Sequence, residues 1–189
     1  MSDGATPSDR RVRRTRAALA TALTALIVEK GYDAVTVQDI IDRADVGRST
    51  FYAHFRHKDE LLQFNIENLR DWLTVAANDN TDKRPFAFSL PLLQHVEGQQ
   101  ELYHALTSHR GGAAVLQWFS QMATQLVRDD LRDQELPAEV ILEEAATFIA
   151  GGFLALMTAW LEGTSGRSSH QVDAAFHRLA SHALQPDVP

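Results

Sequence analysis

Apolar residues in this chain recur at spacings of three and four, and no bounded stretch alternates polar with apolar as a half-buried strand requires. The clearest case is Leu19, Ala22, Leu23, Leu26 and Ile27, which share one stripe of a helix over about residues 10–30. Gly31 follows as a residue that ends a helix without a Cβ penalty. The same periodicity, punctuated by Gly and Pro, predicts helices over about 37–44, 48–54, 57–79, 91–97, 99–108, 112–134, 137–163 and 168–184. Such a chain is expected to be all-α. Residues 1–9, small, polar and interrupted by Pro7, read as a disordered tail. Asn78–Pro91, with Pro85 and Pro91, reads as a loop, and Pro137 suits a first helical position.

Helix 37–44 carries a local start signal. Thr36 is placed to cap it, and Asp39 three residues on completes a capping-box pattern. Val37, Ile40 and Ile41 then share a face, and Asp45 tolerates the left-handed turn that must follow. The next helix opens at Gly47–Arg48 and is dense in polar, basic and aromatic groups, with Val46, Thr50, Phe51 and Phe55 as its buried contacts. In helix 57–79 the core candidates are Leu61, Leu62, Phe64, Ile66, Leu69, Trp72 and Leu73.

Two short helices joined by a tight turn across residues 36–55 form a helix-turn-helix, whose second helix suits the major groove of duplex DNA. A DNA reader needs donors that fix phosphates and a few that reach base edges. Arg48, Ser49, Thr50, Tyr52 and His54 supply both kinds on one element. The charge distribution agrees. Through Lys58 ten Lys and Arg stand against seven Asp and Glu, a net of +3; the rest of the chain carries −10, giving −7 in all. One end is suited to phosphates and the other is repelled by them.

Composition excludes several alternatives. There is no cysteine, so disulfides, thiolate metal sites and cysteine nucleophiles are ruled out, and a reducing cytoplasm fits. No uninterrupted apolar run reaches the ~18 residues of a membrane span, and the basic N-terminus leads into no apolar signal core. No zinc-protease His-Glu motif occurs, and no cofactor or metal is expected. The acidic runs Asp129–Asp130, Asp133–Glu135 and Glu143–Glu144 read as solvated helix faces.

The stretch EKGYDAVTVQDIIDRADVGRSTFYAHFRHKDEL resembles the DNA-binding region of the TetR/AcrR family of bacterial regulators. The resemblance is carried by Gly31–Tyr32, Thr36–Val37, Ile40, Ala44, Val46, Thr50–Phe51–Tyr52, His54–Phe55, Lys58 and Leu61, and covers about residues 13–73. It implies a DNA-binding domain over 10–57, a connecting helix over 58–80, and a C-terminal dimerisation and effector domain over 81–189. It further implies that Thr36 is a phosphate-contacting cap and that Arg48, Ser49 and Thr50 face the groove. Tyr52, His54 and Lys58 would contact backbone phosphates, with Gln38 and Arg43 as lesser contacts on the preceding helix. Arg10, Arg11, Arg13, Arg14 and Arg16 form a basic arm toward a minor groove or flanking phosphates. Two positions depart from the family pattern: Gly47 stands where Ser is usual, and Asp45 where Gly is commoner. The first loses a hydroxyl, the second brings a negative charge toward DNA.

Beyond residue 80 the resemblance is one of layout. It implies that the last two helices pair with a second copy, through Ile141, Ala145, Phe148, Gly152, Leu156 and Trp160 on one helix and Phe176 and Leu179 on the other. Gly151–Gly152 in mid-helix costs ~1 kcal/mol each relative to Ala, a cost best borne where another backbone must come close. An effector pocket is expected among the central helices, lined by His95, Tyr103, His104, Trp118, Phe119, Met122, Phe153 and Met157. The expected function is that of a dimeric repressor, not an enzyme, released from operator DNA by a small hydrophobic effector. A regulator that senses no ligand remains an alternative, as does a helical enzyme or interaction protein that merely contains the hairpin.

Overall fold

The computed structural model describes residues 7–79, 84–107, 112–132, 141–163 and 166–184, and among them only helices and turns occur. The first helix, α1 (Pro7–Lys30), begins three residues before its expected start, so Pro7–Asp9 belong to a helix rather than to a tail. Proline's fixed φ suits a first helical turn. Leu19, Leu23 and Ile27 are buried, and Gly31, at φ 79, ends the helix by donating its N–H to the Ile27 carbonyl.

The next two helices are α2 (Val37–Ala44) and α3 (Arg48–Tyr52), the latter two residues shorter than its pattern suggested. Both arms of the Thr36–Asp39 capping box form, and Asp45 takes the left-handed conformation at φ 51, ψ 51. Phe51 is the anchor of α3: it is fully buried, 6.1 Å from the Phe55 ring. The long α4 (Lys58–Asn78) follows; its His57 cap accepts the Glu60 N–H through the ring. Leu61, Leu62, Ile66 and Leu73 are buried as expected, whereas Trp72 is 47% exposed.

The remaining helices are α5 (Ser89–Glu97), α6 (Gln100–Thr107), α7 (Gly112–Arg132), α8 (Leu142–Leu161) and α9 (Ser169–Ala183). The expected helix start at Pro137 lies outside the described residues. One core runs continuously from Leu19 on α1 to Ala180 on α9, with α7, α8 and α9 packed together and α1 also meeting α6. By length and composition α8 would suffice to span a bilayer, contrary to the expectation from uninterrupted runs. Its Thr, Gly and two Glu residues break a continuous run without making the helix polar. Its Ala146, Ile149, Ala150, Phe153 and Met157 are nevertheless core.

A polar knot pins the turn that precedes α5. Asp173 of α9, buried, accepts hydrogen bonds from Ser89 Oγ at 2.5 Å and Arg84 at 2.9 Å, and its carboxylate lies 3.4 Å from His177. Burial works against its ionisation, but the bonds from His177, Ser89 and Arg84 outweigh it and hold the carboxyl below its ordinary range. From the other side, Asp130 of α7 accepts the Phe86 N–H at 2.6 Å and fixes Phe86 at φ 59.

Candidate nucleic-acid interface

The α2–α3 pair meets the core through Ile40, Ile41 and Phe51, which leaves the opposite side of α3 outward. Arg48 and Ser49 are exposed, Tyr52 is 46% exposed, and Thr50 and His54 are half-buried. The Arg48 guanidinium sits 5.7 Å from the centre of the Tyr52 ring, so an aromatic face orients the cation at the start of the helix. Tyr52 in turn stands edge-on to Phe51 at 5.4 Å, and the His54 ring lies 6.4 Å from Phe55. These outward groups are therefore held by rings that belong to the core. Gly47 caps α3 from an extended backbone, φ −70 and ψ 148, with no side-chain bond. That conformation is open to any residue, so nothing in the backbone demands glycine there.

Four residues expected at the interface have partners inside the chain. Arg43 makes a two-pronged ion pair with Glu29 of α1, at 2.8 and 2.6 Å, which holds the Glu29 carboxyl below its usual range. Gln38 donates to Asp42 at 2.8 Å. The Thr36 hydroxyl donates to Asp39, whose carboxylate also takes Lys30 at 2.7 Å; these bonds, that from Lys30 first, hold Asp39 far below the ordinary carboxylate range. Lys58 differs most from its expected role. Its ammonium donates to the carbonyls of Tyr32 and Val35, each at 2.9 Å, and Asp33 at 3.3 Å, and lies 4.5 Å over the Tyr32 ring. An ammonium has three protons to give, and all three point inward. Beside it the Tyr32 hydroxyl donates to Asp59, and burial first, then this bond, pushes the phenol above its ordinary range. The start of α4 is thereby tied to the loop between α1 and α2. Sequence spacing does not reveal the ties of Arg43, Lys58 and Tyr32, because their partners lie 14 to 27 residues away.

The basic arm is helical. Arg10, Arg11, Arg13 and Arg14 are exposed along the first turns of α1. Arg16 packs instead: its guanidinium lies 5.8 Å from the Phe55 ring and 5.5 Å from Phe64, and its buried Nε has no hydrogen-bond partner.

A cleft of about 1050 Å³ opens between α1, α4, α6 and the start of α7. Of the residues expected to line an effector pocket, His95, Tyr103 and Phe119 do so. His104 is exposed and Trp118 half-buried away from it, while Met122, Phe153 and Met157 are core. The expectation placed the pocket inside the C-terminal bundle; the cleft lies at the seam with α1, where Ala20, Thr24 and Val28 form one wall. Trp72 is exposed because it faces this space.

Of the expected pairing residues, Ile141, Phe148 and Leu179 are 58%, 70% and 59% exposed, Gly152 is exposed, and Ala145 and Leu156 are half-buried. A Cβ built on Gly151 or Gly152 meets nothing within 4 Å. Trp160 and Phe176 are corrections. Trp160 is 9% exposed and donates its indole N–H to the Arg167 carbonyl, and Phe176 is buried against Phe153 at 4.9 Å. Helical spacing put them in the apolar set, but the subunit's own core takes them.

Residues 19–63 match the family of bacterial regulatory proteins described as the tetR family. The chain is 42% identical over 77 residues to an uncharacterised HTH-type transcriptional regulator, YxbF, of Bacillus subtilis, a match covering 38% of this chain and 20% of that one. It is 28% identical over 101 residues to the HTH-type transcriptional repressor KstR2 of Mycobacterium tuberculosis, covering 49% and 50%. The match thus spans a fifth to a half of these relatives' lengths; other relatives are named as activators. Among solved structures, a TetR transcriptional regulator from Streptococcus agalactiae superposes with a TM-score of 0.68 at 25% identity, over 92% of this chain and 97% of that one.

Proposed function

We propose that this chain is a DNA-binding transcription regulator of the TetR family rather than an enzyme, and that it acts as a dimeric repressor that leaves its operator when a small hydrophobic molecule binds. The observation that carries the reading is α3: a short helix anchored by Phe51, with Arg48, Ser49 and Tyr52 turned outward. In this reading Arg48, Ser49 and Thr50 meet base edges and Tyr52 and His54 meet phosphates. The Gly47 N–H and the exposed Thr36 and Gln38 lie at the flanks. Arg43 and Lys58 hold the reading head in place through Glu29 and the Tyr32–Val35 carbonyls. The DNA-binding part is 10–57, α4 within 58–80 connects it, and 81–189 pairs and senses.

Ile141, Phe148, Gly152 and Leu179 offer the outward apolar face for a second copy. Two-fold pairing presents two α3 helices to half-sites ~34–36 Å apart. The cleft supports ligand response because two of its walls, α1 and α4, also carry the reading head. A molecule that fits only one α1–α4 arrangement shifts the population of that arrangement, and the ties of Lys58 and Asp59 pass the shift to α2 and α3. Acting on chromosomal DNA, the protein works in the cytoplasm.

The test is site selection from random duplexes with the purified full chain, followed by sedimentation on the selected site. A near-palindromic site bound by two copies supports the reading; no enrichment removes it. Because some relatives are named as activators, a promoter–reporter assay with and without the protein decides the direction of control.

A further inference from the structure

We propose that the cleft between α1, α4 and α6 accepts an organic cation with an aromatic or apolar body and discriminates against organic anions of the same size. The proposal rests on the ligand-release reading for its regulatory meaning, though not for the binding itself. Among the described residues that line the cleft, Glu97 and Glu101 carry the only formal charges, and neither lysine nor arginine occurs. Glu97 accepts a bond from Ser169 Oγ at 2.9 Å, which fixes a carboxylate at the mouth. Burial disfavours the protonated form of His95 and lowers its pKa.

Four rings follow one another along the lining: Trp72 lies 5.5 Å from His95, His95 is edge-on to Tyr103 at 6.0 Å, and Tyr103 is edge-on to Phe119 at 5.7 Å. Ring faces attract cations and repel anions, and an anion leaving water here meets no counter-charge among the described lining residues. Asn65 supplies a polar handle. Its Nδ2 donates to the Ala20 carbonyl at 3.4 Å, which sets the amide's orientation and leaves the buried Oδ1 without a partner. That oxygen requires a donor, as an ammonium or amine provides. The volume suits a drug-sized molecule.

The test uses two probes of matched shape and opposite charge, tetraphenylphosphonium and tetraphenylborate, titrated calorimetrically into the full-length protein. The phosphonium is expected to bind at least tenfold more tightly. Trp72→Ala should weaken it about fivefold with the helical circular dichroism unchanged. The exposed pair Glu97→Gln/Glu101→Gln should narrow the cation preference at least threefold, the new amides still able to accept from Ser169. Equal or tighter binding of the borate, binding of neither probe, or phosphonium binding indifferent to Trp72→Ala overturns the proposal. Release of a selected duplex is read in the same titrations. Cation binding without DNA release keeps this inference and removes ligand release; release by the anion alone does the reverse.

Discussion

Replacing Lys58 with Met separates a phosphate contact from an internal tie. Met preserves most of the stem over the Tyr32 ring and removes only the ammonium. The Tyr32, Val35 and Asp33 carbonyls, at 2.9, 2.9 and 3.3 Å, then lose their shared donor. A hydrogen bond to a charged group contributes about 1.5–3 kcal/mol, but water reaches this partly buried site and offsets much of that. A loss of about 2 kcal/mol in total is expected, which in a chain of this size lowers Tm by roughly 4–8 °C. The salt dependence of DNA binding gives the independent reading. A lysine on a phosphate contributes about 0.9 to the slope of log K against log salt, so its loss from both copies of the proposed dimer would lower the slope by about 1.8. Fluorescence anisotropy on a selected duplex between 50 and 200 mM salt measures this. The internal tie predicts an unchanged slope together with the lower Tm. A slope reduced by about 1.8 with Tm intact would refute the reasoning and return Lys58 to the DNA surface.

Gly47→Ser should stabilise the protein by about 0.5–1 kcal/mol, seen in thermal unfolding, because a serine both caps α3 and restricts the unfolded chain; its Cβ would meet Thr50 Oγ1 at 3.7 Å, an ordinary contact. Gly152→Leu should give monomers on sedimentation that are no less stable than the parent, since a Cβ there meets nothing within 4 Å of the same subunit; an intact dimer would place the interface elsewhere. Asp173→Asn should cost about 2–3 kcal/mol at neutral pH, as its bonds from Arg84, Ser89 and His177 lose their charge. Its carboxyl is depressed in the folded state, so the stability it adds is present above the ordinary carboxylate range and is lost as pH falls through its lower folded value. Acid titration of unfolding below about pH 4 should therefore be shallower in the variant than in the parent.

Several of these features were legible in the residues. The Thr36–Asp39 capping box, the left-handed Asp45 and the Gly31 stop rest on contacts within four positions of one another, and each forms as read. The α1 stripe and the Phe51 anchor follow from a period of 3.6, which a string of letters displays directly. Periodicity names an apolar face but not what covers it. Trp160 falls on the apolar pattern of α8 with Phe148, and Phe176 on that of α9 with Leu179, yet Trp160 and Phe176 are core while Phe148 is 70% and Leu179 59% exposed. Trp72 falls on the apolar pattern of α4, yet it fronts a cleft because α6 and α7 leave a gap beside it.

By itself, then, the order of residues determined that this chain is helical, where its turns lie, and which short helix carries the outward basic, polar and aromatic groups, since each of these depends on neighbours a few positions away. The tertiary structure alone decided that Lys58 turns to the Tyr32–Val35 carbonyls, that Arg43 pairs with Glu29 on the surface, that the cleft borrows a wall from α1, and that Asp173 closes on Arg84 across 89 residues. Such pairings are chosen by which packed faces come together. That choice minimises exposed apolar area and unmet hydrogen bonds over the whole molecule, a condition no local pattern records.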